Sequence, residues 1–318
     1  MATPTLAEIS KQIPLEHVRA VAEDIITLDS WFVNMPFIGF SGVGLKNNRE
    51  NTMGDVGFYS IGDPITHTNP AVVDELTWDV TKLIGQVEMD TLVFMKSNDS
   101  NRFGLEMQSK AKNIGRQFQQ GLMTGTGVAP QVNSLHSMCD ATQYTPTSAG
   151  QNLSFALLDT LMDLPTSKGG TVDFLVGHGS QVNRFRELYR ALGGSEPSNT
   201  VFELPDGTTQ TVVRYRETPF YKNDFQSVAE TADGAATTGG ALTSVYAGNW
   251  DPGDRATGLS GIFQQGVTPD GQTAGAGIIV MPVGVKAAAD ETMWRLLAYW
   301  NAALFNRRGL ARLTSLNV

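Results

Sequence analysis

The residues of this chain whose types could do chemistry are four histidines, one cysteine and a few clustered charges. His17, His67, His136 and His178 stand far apart and lack the short spacings that bring ring nitrogens onto one metal ion. No metal site is expected. Cys139 is the single cysteine, which excludes an internal disulfide and a thiolate zinc cage; it reads as a small residue in a semi-buried loop. Gly177-His178-Gly179 lies between an apolar run and a helical pattern, as the first glycines of a dinucleotide fingerprint do. The third glycine position is Val182, where helix and strand would have to approach closely. No P-loop and no Gly-x-Ser-x-Gly elbow occurs. No cofactor is expected.

The paired carboxylates Glu23-Asp24, Asp74-Glu75 and Asp290-Glu291 are sequence neighbours. Adjacent side chains point apart on a helix or strand, so these pairs read as solvated charges rather than an acid–base couple. Arg184, Arg186 and Arg190 share one helical segment with Glu187 among them, the pattern of a solvated face more than a phosphate site. The aromatic group Trp31, Phe32, Phe37 and Phe40 reads as core or interface. No catalytic residue, cofactor-binding residue or metal ligand is assigned, and the chain is not expected to be an enzyme.

The elements that would have to position any such groups are dominated by one stretch, Asn98 to Leu122. Phe103, Met107, Ala111, Ile114, Phe118 and Leu122 fall at steps of four, four, three, four and four, one apolar stripe on a helix about seven turns long. Asn98, Asp99 and Ser100 supply N-cap chemistry, and Gly121 with Gly125-Thr126-Gly127 ends the helix. It reads as a girder on which the rest is hung.

Composition sets the bounds. The 318 residues are 41% hydrophobic, enough to bury a core, but only 17% charged, with 33 glycines. A net charge of −9 disfavours a protein that wraps nucleic acid, because phosphate neutralisation needs clustered Lys and Arg. No apolar run approaches the ~18 residues of a membrane span, and the N-terminus shows no charged-then-apolar signal pattern. A soluble protein of a reducing compartment is expected.

In chain order, Pro14 can open a helix whose face is Leu15, Val18, Ala22, Ile25, Leu28 and Phe32. Residues 43–90 are punctuated by glycine and proline and read as a two-stranded β excursion too thin to hold a core; an isolated hairpin is marginal in water, so a partner surface should hold it. Thr91 to Met95 leads into the girder. A helix is expected over Asn152 to Leu164, stopped by Pro165, then a buried strand over Thr171 to Val176 and a helix capped by Ser180. Asp206-Gly207 between Val201–Leu204 and Thr211–Val213 signals a hairpin. Residues 226–242 read as a flexible surface loop and 266–277 as a second one. Leu242–Ala247, Gly261–Gln264 and Ile278–Met281 read as strands. Trp294–Phe305 is apolar on both faces and is assigned to strand, with Arg307, Arg308 and Leu310–Leu316 as its continuation.

Four segments then carry a family resemblance: GLEMQSKAKNIGRQFQQGLMTGTG (Gly104 to Gly127), TVDFLVGHGSQVNRFRELYRALGG (Thr171 to Gly194), TVVRYRETPFYKNDF (Thr211 to Phe225) and ARLTSLNV (Ala311 to Val318). In order and character they resemble the spine helix, axial strand and helix, hairpin and closing segment of the major capsid protein of tailed double-stranded DNA bacteriophages, the Hong Kong 97-type α+β fold. The resemblance implies an N-terminal arm (1–42), an extended β loop (43–90), the spine helix with the first part of a peripheral domain (91–130), an axial domain (131–276) and the peripheral strands (277–318). It implies self-assembly into pentamers and hexamers of an icosahedral head, with scaffolding, portal or cement proteins as further partners. The DNA genome would be enclosed without sequence-specific binding and without a membrane, in a virion assembled in the host cytoplasm. No long charged extension precedes the arm. Lys46, Lys82, Asn47 and Asn48 are available near the excursion, but their spacing does not support the cross-linking of some relatives. An encapsulin-like compartment shell is the alternative with the same fold, and a nucleotide-binding α/β enzyme around Gly177 to Ser180 is the third.

Overall fold

The computed structural model describes residues 30–64, 69–92, 100–145, 150–167, 169–193, 197–203, 209–231, 236–267, 271, 273–275, 277–286 and 289–318. The helix expected from Leu15 lies outside the described residues, apart from a short turn, α1 (Ser30–Val33). So do most of Thr91 to Met95 and the Asp206-Gly207 turn.

Strand β1 (Phe37–Phe40) is followed by β2 (Leu45–Thr52), β3 (Val72–Trp78) and β4 (Thr81–Asp90). The long helix α2 (Ser100–Thr124) and a short helix α3 (Leu135–Met138) lead to β5 (Tyr144–Thr145) and α4 (Phe155–Thr166). Then come β6 (Phe174–Gly177), α5 (Gly179–Ala191), β7 (Asn199–Glu203), β8 (Thr209–Tyr215), β9 (Thr218–Lys222) and β10 (Leu242–Gly248). The chain closes with β11 (Leu259–Gln264), β12 (Gly266–Val267), β13 (Thr273–Ala274), β14 (Ile279–Val285), β15 (Glu291–Leu304) and β16 (Leu310–Asn317).

Two sheets carry the fold. In the five-stranded sheet, β15 is the backbone: one edge pairs with β14 and then β11, the other with β4 in unbroken register from Glu291↔Asp90 to Trp300↔Thr81. β1 adds in parallel to β11. The seven-stranded sheet has the order β5-β16-β10-β6-β9-β8-β7. Its strands alternate between two cores, as the two-residue pleat requires. Phe174, Val176, Tyr221 and Tyr246 face a large core shared with α2, while Leu175, Phe220, Val245 and Ala247 face α4 and α5.

Three departures from the sequence reading have local causes. β16 does not continue β15; a 3-10 turn at Arg307–Gly309 intervenes and β16 pairs with β10 in the other sheet. Pro165 does not stop α4 but lies in its last turn, ahead of the terminal Thr166. α5 is capped by His178, whose Nδ1 accepts from the Ser180 N–H at 3.2 Å, rather than by Ser180. The 43–90 stretch also divides: β2 and β3 pair only with each other, and β4 belongs to the five-stranded sheet.

The girder forms as its stripe demands. Ile114, Phe118 and Leu122 are buried, and Met107 and Ala111 pack against the same core. Gly125 closes it with a 2.8 Å bond to Gly121 O, at a point where a Cβ would collide with Gly121 O and Val132 O. Phe118 is the joint of the fold: its ring meets Phe32 of α1 at 5.8 Å, Phe37 of β1 at 6.1 Å and Trp300 of β15 at 5.6 Å. The Phe32 and Trp300 contacts are edge-to-face, a geometry that stabilises beyond the area buried. Truncation to Phe118→Ala should therefore cost about 3–5 kcal/mol, read as a lower urea midpoint with little change in m.

Candidate assembly surfaces

The groups that could do chemistry do not converge. His136 lies on α3 and His178 caps α5, while His17 and His67 lie outside the described residues. Burial holds the His178 ring below the ordinary histidine pKa, and its Nδ1 is taken up by Ser180. The N-terminus of α5 thus already has its capping acceptor. Val182 is buried in the core, and a Cβ on Gly179 would meet the Lys222 stem at 2.8 Å. Arg184 pairs with Glu187 at 3.0 Å and reaches Asn152 at 2.9 Å. Glu75 pairs with Lys46 at 2.6 Å across β2 and β3, and Glu291 with Lys286 at 3.2 Å. The Asp290 carboxylate accepts from the Thr91 hydroxyl, and Glu23-Asp24 lies outside the described residues. Burial pushes the Cys139 thiol up to about 12, leaving it protonated and unreactive at neutral pH. Among the described residues no three His, Cys, Asp or Glu side chains are grouped to hold a metal ion.

Among the described residues, a fully buried charged pair occurs that the sequence reading did not identify. Arg312 of β16 and Glu230 meet at 3.0 Å with neither side chain exposed. Ser244 bridges them, donating to Glu230 and lying 3.1 Å from Arg312 Nε; Gln226 donates to the other Glu230 oxygen at 2.9 Å. The guanidinium is flanked by the rings of Tyr144 and Tyr246 at 5.5 and 5.6 Å. Residues 226–231 are therefore not a loose surface loop. They are bolted to the seven-stranded sheet, with Glu230 and Leu242 exchanging backbone hydrogen bonds beneath the outer turn.

The exposed surface of interest is the β2–β3 hairpin. Its base is anchored: Leu45 is buried, Trp78 packs beside it, and Asn47 Nδ2 donates to Phe305 O at 3.2 Å. Its far end is not. Met53 is 80% exposed, Val56 94%, Phe58 109% and Ile61 108%. Two carboxylates lie among the tip's described residues: Asp55 accepts from Asn69 at 2.8 Å, and Asp63 accepts from the Ser60 N–H at 2.9 Å. Scattered apolar residues are normal on a surface, but a contiguous group on a projection marks a contact. Sequence reading identified the thin hairpin and overlooked this tip, whose signal is four large apolar residues inside a Gly- and Asp-punctuated turn.

No family model matches the sequence, and no curated protein resembles it in sequence. Solved structures do match in backbone. The holo-SrpI encapsulin complex of Synechococcus elongatus PCC 7942 has a TM-score of 0.68 at 12% identity, over 100% of this chain and 97% of that one. The capsid of the native GTA particle gives 0.64 at 11% identity, over 100% of both chains. The cyanophage A-1(L) capsid gives 0.66 at 11% identity, over 97% and 98%. At such identities the likeness is one of fold.

The buried pair yields a direct test. Removing one partner leaves an uncompensated buried charge or acceptor, so Arg312→Met should cost about 3–5 kcal/mol, and Glu230→Gln should also be destabilising. The double variant should recover much of that loss, giving a large coupling term in a double-mutant cycle of urea unfolding.

Proposed function

We propose that this chain, which has the Hong Kong 97-type capsid fold, is a major capsid protein that assembles with copies of itself into the icosahedral head of a tailed phage around a DNA genome. The observation that carries this is the pairing of that fold with a coreless hairpin whose apolar tip stands in water. A two-stranded hairpin is marginal on its own, and its tip offers a second copy what a compact monomer cannot.

The parts then take these roles. The five-stranded sheet with α2 is the peripheral domain, β4 included. The seven-stranded sheet with α4 and α5 is the axial domain, which would gather around five-fold and six-fold axes through head-to-tail contacts that close by rotation. The β2–β3 hairpin is the extended loop. Of the 1–42 stretch, Ser30–Val33 and Phe37–Phe40 are packed into the body, so the arm would be supplied by the residues ahead of them. The net charge of −9 suits a container that encloses duplex DNA without gripping it. The protein would act as wall material in the virion, with no reaction of its own.

An encapsulin-like shell with a protein cargo is the second reading, favoured by the TM-score of 0.68 to the encapsulin.

The expressed chain should form closed, uniform particles by negative-stain electron microscopy. A chain that stays monomeric at high concentration would contradict the proposal. Nucleic acid inside particles from infected cells supports the phage reading, and a cargo enzyme inside them supports the other. Replacing Phe58→Ser together with Ile61→Ser should leave the thermal unfolding of the subunit unchanged, since both side chains are solvent-exposed, and should abolish particles.

A further inference from the structure

Strand β1 is an edge of its sheet: among the described residues β11 alone pairs with it. The Pro36 and Phe40 carbonyls accept from the N–H groups of Gly261 in β11 and of Gln265 just beyond it. Alternate residues of a parallel strand bond to the same neighbour, so the Gly39 carbonyl points the other way, to the open edge. The sequence makes this edge a hazard. Ser30 to Leu45 contains no charged residue, and Phe37-Ile38-Gly39-Phe40 is apolar. Val43, just past the strand, is 98% exposed. An uncharged, apolar edge is a template for a strand from another chain.

The loop 251–257, between β10 and β11, reaches this edge. Arg255 Nη2 donates to the Gly39 oxygen at 3.0 Å. The Arg255 backbone has φ 60°, which is costly for a residue with a Cβ. The loop is wound to hold it there. Asp251, wholly buried, accepts from the N–H groups of Gly253 at 3.1 Å, Arg255 at 3.2 Å and Ala256 at 3.3 Å. Two further side chains lie along the strand. Gln265 crosses Gly39 so closely that a Cβ there would collide with it, the close approach that a glycine inside a strand permits. Gln264 donates to the Gly42 oxygen at 3.1 Å.

We propose that Arg255 is an edge guard: its guanidinium, held out by the loop wound on Asp251, closes the outer edge of β1 against strand addition by a second copy. Strand β1 has no charge of its own to refuse a partner, so the neighbouring loop lends it one. A strand docking here would need the Gly39 carbonyl, which is taken, and would have to displace an exposed cation. The strained backbone at Arg255 then has a use, since such conformations persist where the surroundings enforce them. The contact lies within one chain and does not depend on the assembly reading above.

The test is aggregation of the full chain just below its unfolding midpoint, followed by thioflavin T fluorescence. Arg255→Ala should shorten the lag by about threefold or more. Arg255→Gly should shorten it as much while unfolding near the temperature of the unmodified chain, because glycine adopts φ 60° freely. That variant separates an opened edge from a weakened fold. Arg255→Lys, which keeps a charged donor, should stay close to the unmodified lag. A synthetic peptide copying residues 258–265, the β11 sequence that pairs with the other edge of β1, should restore the lag of Arg255→Ala when added in excess. A scrambled peptide should not. An unchanged lag in both Arg255→Ala and Arg255→Gly, or an acceleration that the β11 peptide does not reverse, would overturn the proposal.

Discussion

The structure turns on apolar side chains held out in water at the end of an arm too thin to bury them. Met53, Val56, Phe58 and Ile61 are exposed almost completely. Burying a large apolar side chain is worth about 1.5–3 kcal/mol, so four of them could contribute about 6–12 kcal/mol. Association costs about 4–15 kcal/mol in lost freedom. One tip buried against one other copy would therefore be a marginal contact. A marginal contact would suit the proposed shell: each could dissociate and correct its placement, while many together would persist.

If weak contacts are to define a particle, the body behind them would have to be stiff, and the fold has two well-packed joints. Phe118 ties α1, β1, α2 and β15 through three ring contacts, joining the girder to the five-stranded sheet. Arg312 and Glu230 bolt the 226–231 segment to the seven-stranded sheet in the dry interior. A buried pair of this sort is costly to desolvate and is weak evidence for stability; here it fixes where the outer turn above Glu230 begins and ends. The hairpin base follows the same logic, with Leu45 and Trp78 packed and Asn47 hydrogen-bonded to the body.

What could be read from sequence was whatever depends on local periodicity. The girder's apolar stripe located α2 to within two residues at each end, ordinary fraying for helix boundaries. β6, β10, β11 and β14 were recognisable as apolar runs between turn residues. The misplaced helix stop at Pro165 and cap at Ser180 are local slips; the larger errors are non-local. Glu230 sits in an Ala-, Thr- and Gly-rich stretch and looks solvated; its burial is set by Arg312, 82 residues away. The readable hint was Arg312 itself, the one charged residue in Leu310–Asn317, which needs an acid partner if that strand is buried. β16 looked like more of β15 because a sheet switch across Arg307–Gly309 leaves no periodic signature. The tip's four apolar residues were masked by the glycines around them. The catalytic alternatives failed on chemistry that sequence does carry: Val182 in place of a glycine, and histidines without spacing.

The central claim is that these four side chains pass from water into protein when copies meet. Hydroxyl-radical footprinting, read by mass spectrometry, measures this on intact particles and on subunits dissociated from them. The account predicts strong oxidation of Met53 and Phe58 in the free subunit and marked protection of both in the particle. Equal labelling in the two states would contradict it.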